Sequence, residues 1–286
     1  MQDNDSQIID KPIRRQHRSR KKEKGRPIDG ILLLDKPLNL SSNKALQVAK
    51  HLFEARKAGH TGSLDPLATG MLPLCFGKAT KVAQFLLSAD KKYVVTAKLG
   101  ETSTTGDAEG EITAGKPVPI LMPEVLESIL VRFRGDLQQI PPMYSAVKID
   151  GRPLYELARQ GITVERQPRP VTIYSLKLLA QSASTITLAV HCSKGTYIRT
   201  LLEEIGDALG CGAYVTALRR TVVSHFPADK MLTLDQLRDL LEEGGLPLLD
   251  AQLLSIEELS TSWPKFTLSA TDMMDLRHGK AIQTTL

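Results

Sequence analysis

The segment from His60 to Gly70 (HTGSLDPLATG) carries the turn-formers Gly62, Pro66 and Gly70 and has no sustained hydrophobic period. It predicts a loop held between regular elements, and the flanking sequence supplies those elements. Upstream, Gly30 to Leu34 (GILLL) is a short apolar run stopped by Asp35-Lys36-Pro37, which reads as a buried strand entering a turn. Ser41 or Ser42 then caps a helix with Ala45, Leu46, Ala49, Leu52 and Phe53 on one face, ending in the basic stretch Arg56-Lys57-Ala58-Gly59. Downstream, the chain passes through the apolar residues Met71 to Phe76 into a helix containing Val82, Phe85 and Leu86.

Beyond this region the periodicity alternates between strand and helix. Tyr93, Val95, Ala97 and Leu99 alternate with Val94, Thr96 and Lys98, the pattern of a half-buried strand. Thr102 to Gly110 is a polar loop, Pro123 opens a helix carrying Leu126, Ile129, Leu130 and Phe133, and Pro153 opens another that ends at Gly161. Strands are expected near Val171 to Leu179 and Thr185 to His191, followed by a turn at Ser193-Lys194-Gly195. A helix from about Tyr197 to Leu209 turns Ile198, Leu201, Leu202 and Ile205 inward, and a strand near Ala217 to Phe226 follows the Gly210/Gly212 turn. Strands and helices mix without a regular βαβ repeat, which favours an α+β fold.

Charge is unevenly placed. Residues 1–26 hold nine Lys or Arg against Asp3, Asp5, Asp10 and Glu23, a balance of +5 that equals the net charge of the whole chain. Met231 to Trp263 instead holds seven acids against Arg238. A run as basic as the first contacts a polyanion or serves as a solubilising tail. No apolar stretch is long enough to cross a bilayer and no signal-peptide pattern opens the chain, so a cytoplasmic protein without membrane contact is expected. Cys75, Cys192 and Cys211 show neither close pairing nor a CxxC, so they read as reduced thiols, and no metal is expected.

Nucleotide and hydrolase signatures are missing. Gly77-Lys78-Ala79-Thr80 resembles the end of a phosphate loop, but Ala79 replaces the required hydroxyl residue and no glycine stands at the required spacing. What remains is Asp65 on the loop. Taken locally, Asp followed by Pro reads as a helix N-cap with proline at the first helical position. His60 reads as a surface histidine and Tyr93 as a core aromatic of its strand. Arg199, near the start of an apolar helix, opposes the positive end of the helix dipole and wants a carboxylate partner.

Taken together, the segments say more. The string from Gly59 to Pro73 (GHTGSLDPLATGMLP) closely resembles the catalytic motif of the bacterial tRNA pseudouridine-55 synthases, the TruB family. Leu33 to Pro37 with Ser41-Ser42, Lys92-Tyr93, Pro142 to Lys148, Gly151 to Tyr155, Ala158 to Gly161, His191 to Thr200 and Leu218-Arg219-Arg220 fit the same family in order. The resemblance covers roughly residues 28 to 250.

That resemblance implies a pseudouridine synthase fold, with a mixed and mostly antiparallel sheet flanked by helices and loops. It implies isomerisation of the T-loop uridine of tRNA, without cofactor or metal, by a protein expected to act as a monomer on the T-arm stem-loop. Asp65 becomes the catalytic carboxylate, Arg199 its salt-bridge partner, and Tyr93 the ring stacked on the target base and a candidate for C5 deprotonation. Tyr197 and the backbone at Leu218 line the uracil pocket, and His60 fills the space left when the target nucleotide flips out. The expected organisation is a basic disordered tail over residues 1–27, a pseudouridine synthase catalytic domain over 28–250, and a partial or truncated PUA-like segment over 251–286. Two departures stand out: Thr104 occupies a position where the family usually has an acid, and only 23 residues follow Trp263. An RNA-binding or tRNA-folding protein without catalysis is the alternative, and a nucleosidase, which commonly needs paired carboxylates, is a weaker third reading.

Overall fold

In the computed structural model, which describes residues 25–260 and 266–282, the first apolar run forms β1 (Gly30–Lys36). It is followed by α1 (Ser42–Leu52), β2 (Ala58–His60), β3 (Ala68–Phe76), α2 (Ala83–Leu87) and β4 (Lys91–Leu99). A two-stranded sheet of β5 (Glu101–Ser103) and β6 (Ile112–Ala114) precedes α3 (Pro123–Leu130) and β7 (Gly135–Gln139). The short strands β8 (Lys148–Ile149) and β9 (Arg152–Pro153) pair with each other before α4 (Leu154–Ala158). Then come β10 (Arg169–Gln181), β11 (Thr185–Cys192), α5 (Ile198–Ala208), β12 (Ala213–Val223), α6 (Leu234–Asp250) and α7 (Ala270–Arg277).

The main sheet has eight strands in the order β1-β3-β12-β4-β11-β10-β7, with β2 also paired to β3. Every pairing is antiparallel except β12 with β3, so the fold is α+β with a mixed, mostly antiparallel sheet. Two cores explain the two strand patterns seen in the sequence. On one face Leu32, Leu34, Leu72, Leu74, Tyr93, Val95 and Ala97 pack beneath α1, α3, α5 and α6. On the other, Ile31, Leu33, Met71 and Cys75 meet Ala79, Leu86, Phe226 and Leu259. Strands β1 and β3 are therefore covered on both faces and read as continuous apolar runs, whereas β4 is covered on one and alternates.

The helix start suggested locally by Asp65-Pro66 does not form. The Ala68 N–H donates to the Asp65 carbonyl at 3.0 Å, closing a turn that delivers the chain straight into β3. The reason is tertiary: Ala68, Thr69 and Gly70 lie parallel to Leu218, Arg219 and Arg220 of β12, and that ladder outweighs a local helix preference. The Asp65 carboxylate is left free of capping duty. Strand β12 also begins earlier than its apolar pattern suggests, at Ala213, directly after the Gly210/Gly212 turn. Most of the basic run of the first 26 residues lies outside the described residues. Among the described residues no helix is long and apolar enough to cross a membrane.

The parallel junction depends on Gly70. Its φ is +98°, and a Cβ built on it would stand 2.2 Å from the Arg220 carbonyl oxygen, a backbone atom with little room to move. Gly70→Ala is expected to destabilise the protein by about 2 to 4 kcal/mol in urea unfolding, through strain at positive φ plus backbone displacement. A loss below about 1 kcal/mol would show that the junction is not tight.

Candidate active site

The loop between β2 and β3 is held from three sides. The Ser42 hydroxyl of α1 accepts from the Leu64 N–H at 2.7 Å and donates to the Leu64 carbonyl at 2.9 Å. The Arg220 guanidinium of β12, fully buried, donates to the carbonyls of Met71 at 2.7 Å, Gly62 at 3.1 Å and Ser63 at 3.4 Å. The Lys36 ammonium at the end of β1 donates to the carbonyls of Pro37 at 2.8 Å, Leu40 at 2.5 Å and Pro66 at 3.4 Å. A polar loop between apolar elements carries carbonyls that need partners, and two buried cations supply them.

The loop presents Asp65 to α5. Arg199 Nε lies 3.0 Å from Asp65 Oδ2, and the guanidinium is buried while the carboxylate keeps 42% of its side-chain surface open. The remaining nitrogens of Arg199 are occupied: Nη1 donates to the Thr105 carbonyl at 2.6 Å and lies 3.6 Å from Asp107 Oδ2, and Nη2 donates to the Tyr144 carbonyl at 2.7 Å. Asp107 is buried and is itself held by the Thr105 hydroxyl at 2.6 Å and the Glu109 N–H at 3.1 Å. One guanidinium fork thus ties three loop segments to the start of α5, and its planarity fixes their relative positions.

Electrostatics at Asp65 are a balance. Enclosure by protein raises its carboxyl above the ordinary value; Arg199 pulls it down, Asp107 raises it, and Lys36 pulls it down. Burial in turn drops the Lys36 ammonium to about 8, against the attraction of Asp65 and Glu109. The result is a carboxylate open to the cleft on one side and fixed by charge on the other.

The other expected residues lie on the elements that border the loop. Tyr93 of β4 lies opposite Arg220 in the β12 ladder, and its phenol is raised by burial and by Asp65 and lowered by Arg220. Leu218 pairs with Ala68 on one side and Val95 on the other, so its backbone borders the loop exit. Tyr197 is the N-cap residue of α5, two positions before Arg199, and burial raises its phenol. His60 ends β2, and its Nδ1 is buried with no hydrogen-bond partner among the described residues. Burial and Arg220 hold its imidazole below the ordinary histidine value.

Three functional residues were not singled out by the sequence. Lys36 and Arg220 stood within recognised segments but looked like a turn residue and a strand residue; an apolar strand ending in Lys is the only local hint. Asp107 was hidden in the Thr102 to Gly110 loop, where an acid among Gly, Ser and Thr suggests a turn. Among the described residues no group of three His, Cys, Asp or Glu side chains is arranged to hold a metal ion.

These charges predict a titration. By carboxyl NMR, Asp65 should titrate above the ordinary aspartate value of about 3.9, with its ionised fraction falling as pH drops through that raised value. Because Arg199 favours the ionised form, Arg199→Met should move the titration further up. An unchanged or lower value in that variant would contradict the ion pair.

Known proteins resemble this chain over most of its length. Residues 50–198 match the N-terminal domain of the TruB family of pseudouridylate synthases, and residues 199–260 match the tRNA pseudouridylate synthase B C-terminal domain. The chain is 53% identical over 264 residues to a tRNA pseudouridine synthase B of Actinobacillus succinogenes, covering 92% of this chain and 85% of that protein. Its identity to the protein of the same name from Pasteurella multocida is 50% over 262 residues, covering 92% and 85%. Among solved structures, it resembles a chain of a Cbf5-Nop10-Gar1 complex with a TM-score of 0.68 and 28% identity, covering 87% of this chain and 67% of that one. A chain of an H/ACA RNP bound to a substrate RNA containing 2′-deoxyuridine gives a TM-score of 0.61 and 26% identity, covering 85% and 68%.

Proposed function

The chain belongs to the TruB family of pseudouridylate synthases, and from that premise we propose that it isomerises the T-loop uridine of tRNA at Asp65, oriented by Arg199. It is an isomerase that converts uridine in tRNA to pseudouridine. The observation that carries the residue assignment is the 3.0 Å approach of Asp65 to a guanidinium whose other nitrogens are all engaged.

The reaction breaks the bond from ribose C1′ to uracil N1, turns the retained base, and joins C1′ to C5. The hydrogen on C5 leaves as a proton and N1 gains one, so the RNA keeps its composition. The carboxylate of Asp65 suits three routes: attack on C1′, addition to C6, or removal of the C2′ proton. All three need it ionised and fixed in direction, which Arg199 and Lys36 favour. A T-loop base is reached only after extrusion from the folded RNA. Tyr93 then stacks on the base, Tyr197 and the Leu218 backbone line its pocket, and His60 fills the space that it vacates.

Around this centre we assign residues 28–250 to the catalytic domain and residues 251–286 to a partial PUA-like segment. Eight of the nine basic residues within 1–27 act on tRNA phosphates, while the ninth, Arg26, is paired with Asp250. The protein acts as a monomer in the cytoplasm, where its tRNA substrate resides.

T-arm RNA tritiated at uracil C5 tests the proposal. The wild-type chain should release tritium to water in step with pseudouridine, leaving RNA mass otherwise unchanged, and Asp65→Asn should stop release while RNA binding survives. Residual turnover of Asp65→Asn within about tenfold of wild type, or ~1.4 kcal/mol of barrier, would sink the assignment. Binding without any release by the wild type would leave an RNA-binding protein, and free uracil with an abasic site would mean a nucleosidase.

A further inference from the structure

Helix α5 starts without an ordinary cap. Its N-cap residue is Tyr197, at φ −95° and ψ 108°, whose side chain makes no capping hydrogen bond, and its first turn contains no acid. Arg199 in that turn sets a cation against the positive end of the helix dipole. Hydroxyl or carboxylate caps usually perform this anchoring, and α5 has neither. The helix nevertheless has to hold the guanidinium that orients Asp65.

The anchoring comes from a different strand. Gln139 is the last residue of β7, at the edge of the sheet, and is only 3% exposed. Its Oε1 accepts from the Tyr197 N–H at 2.7 Å, and its Nε2 donates to the Tyr197 carbonyl at 3.1 Å. A backbone N–H only donates and a carbonyl only accepts, so the two partners dictate which way round the amide sits. The side chain therefore grips Tyr197 as a neighbouring strand would, through both main-chain groups at once. A few residues further along the chain, the Tyr144 carbonyl accepts from Arg199 Nη2 at 2.7 Å. The chain leaving β7 thus holds the start of α5 at two points, one on its backbone and one on its functional side chain.

We propose that Gln139 is a positioning residue for the isomerisation, setting the Tyr197 ring and the Arg199 guanidinium relative to Asp65 through the Tyr197 main chain. The proposal rests on the assignment of Asp65 and Arg199 above. The near-isosteric replacements each lose part of this grip. Leucine matches the volume but leaves the Tyr197 N–H unpaired and takes one of two donors from the Tyr197 carbonyl, which keeps only the Leu201 N–H at 3.1 Å. Glutamate keeps the acceptor but points a carboxylate oxygen at a carbonyl oxygen, and it regains a donor only when protonated.

Three variants separate positioning from general support: Gln139→Leu, Gln139→Glu and Thr172→Val. The last removes the 2.7 Å bond from the Thr172 hydroxyl to Asp136, which also joins β10 to β7 but does not touch Tyr197. For each, the single-turnover rate constant at saturating C5-tritiated T-arm RNA, the RNA Kd and the thermal midpoint are measured. Gln139→Leu should be slower by about tenfold or more, with Kd within about threefold of wild type, because displacement of a catalytic group by a fraction of an ångström acts on the chemical step. Thr172→Val should keep the wild-type rate. Gln139→Glu should be slow at neutral pH, and its rate relative to wild type should climb as the medium is acidified and the introduced carboxyl gains a proton. This last readout decides the matter if Gln139→Leu fails to fold.

A Gln139→Leu rate within about twofold of wild type, an equal loss in Thr172→Val, or a flat Gln139→Glu ratio across pH would each overturn the positioning role. A wild-type chain that releases no tritium overturns the function itself. An active wild type with an unaffected Gln139→Leu overturns only the role of Gln139.

Discussion

The guanidinium of Arg199 is the point on which the site depends. It is buried, it carries a fixed charge, and its nitrogens meet Asp65, the Thr105 carbonyl with Asp107, and the Tyr144 carbonyl. A buried arginine left without carboxylates would be costly to desolvate, and a buried cluster of acids without it would be equally so. The two costs offset each other only if the loops bearing Asp65, Asp107 and Tyr144 all close on the same helix terminus. The interaction therefore specifies geometry more than it adds stability, because the fork is planar and each direction is already taken.

The rest of the fold can be understood as the means of bringing those loops together. The loop bearing Asp65 closes the antiparallel hairpin of β2 and β3, and the single parallel pairing in the sheet, β12 with β3, ties its exit to a central strand. Arg220 and Lys36 then satisfy the carbonyls of that loop from inside the protein. Lys36 also joins Arg199 in drawing down the Asp65 carboxyl that enclosure lifts. Packing beneath the sheet by α1, α3, α5 and α6 supplies the rigidity such a balance requires.

Much of this was legible in the sequence, and what was not has identifiable physical causes. The alternation from Tyr93 to Leu99 and the unbroken apolar run at Gly30 to Leu34 correctly separated a strand covered on one face from one covered on both. Arg199 announced its need for a carboxylate because a cation in a first helical turn is out of place, and the structure puts Asp65 beside it. Asp65-Pro66 misled because local chemistry ranks only local outcomes, while the competing partner, Leu218 to Arg220, is remote in sequence. Lys36 could not be read as a buried cation, since its acceptors at Pro37, Leu40 and Pro66 converge only after folding. Gln139 gave no signal either: glutamine in a short polar strand looks like a surface residue until Tyr197 is placed against it.

If one planar fork organises the site, charge alone cannot replace it, and the Arg199→Lys variant measures that directly. Lysine preserves the positive charge beside Asp65 but cannot reach the Thr105 and Tyr144 carbonyls while remaining coplanar with the carboxylate. The single-turnover rate of pseudouridine formation at saturating T-arm RNA should fall by about a hundredfold or more, with RNA affinity within about threefold of wild type. A rate within about threefold of wild type would show that a nearby charge is sufficient and would contradict the account.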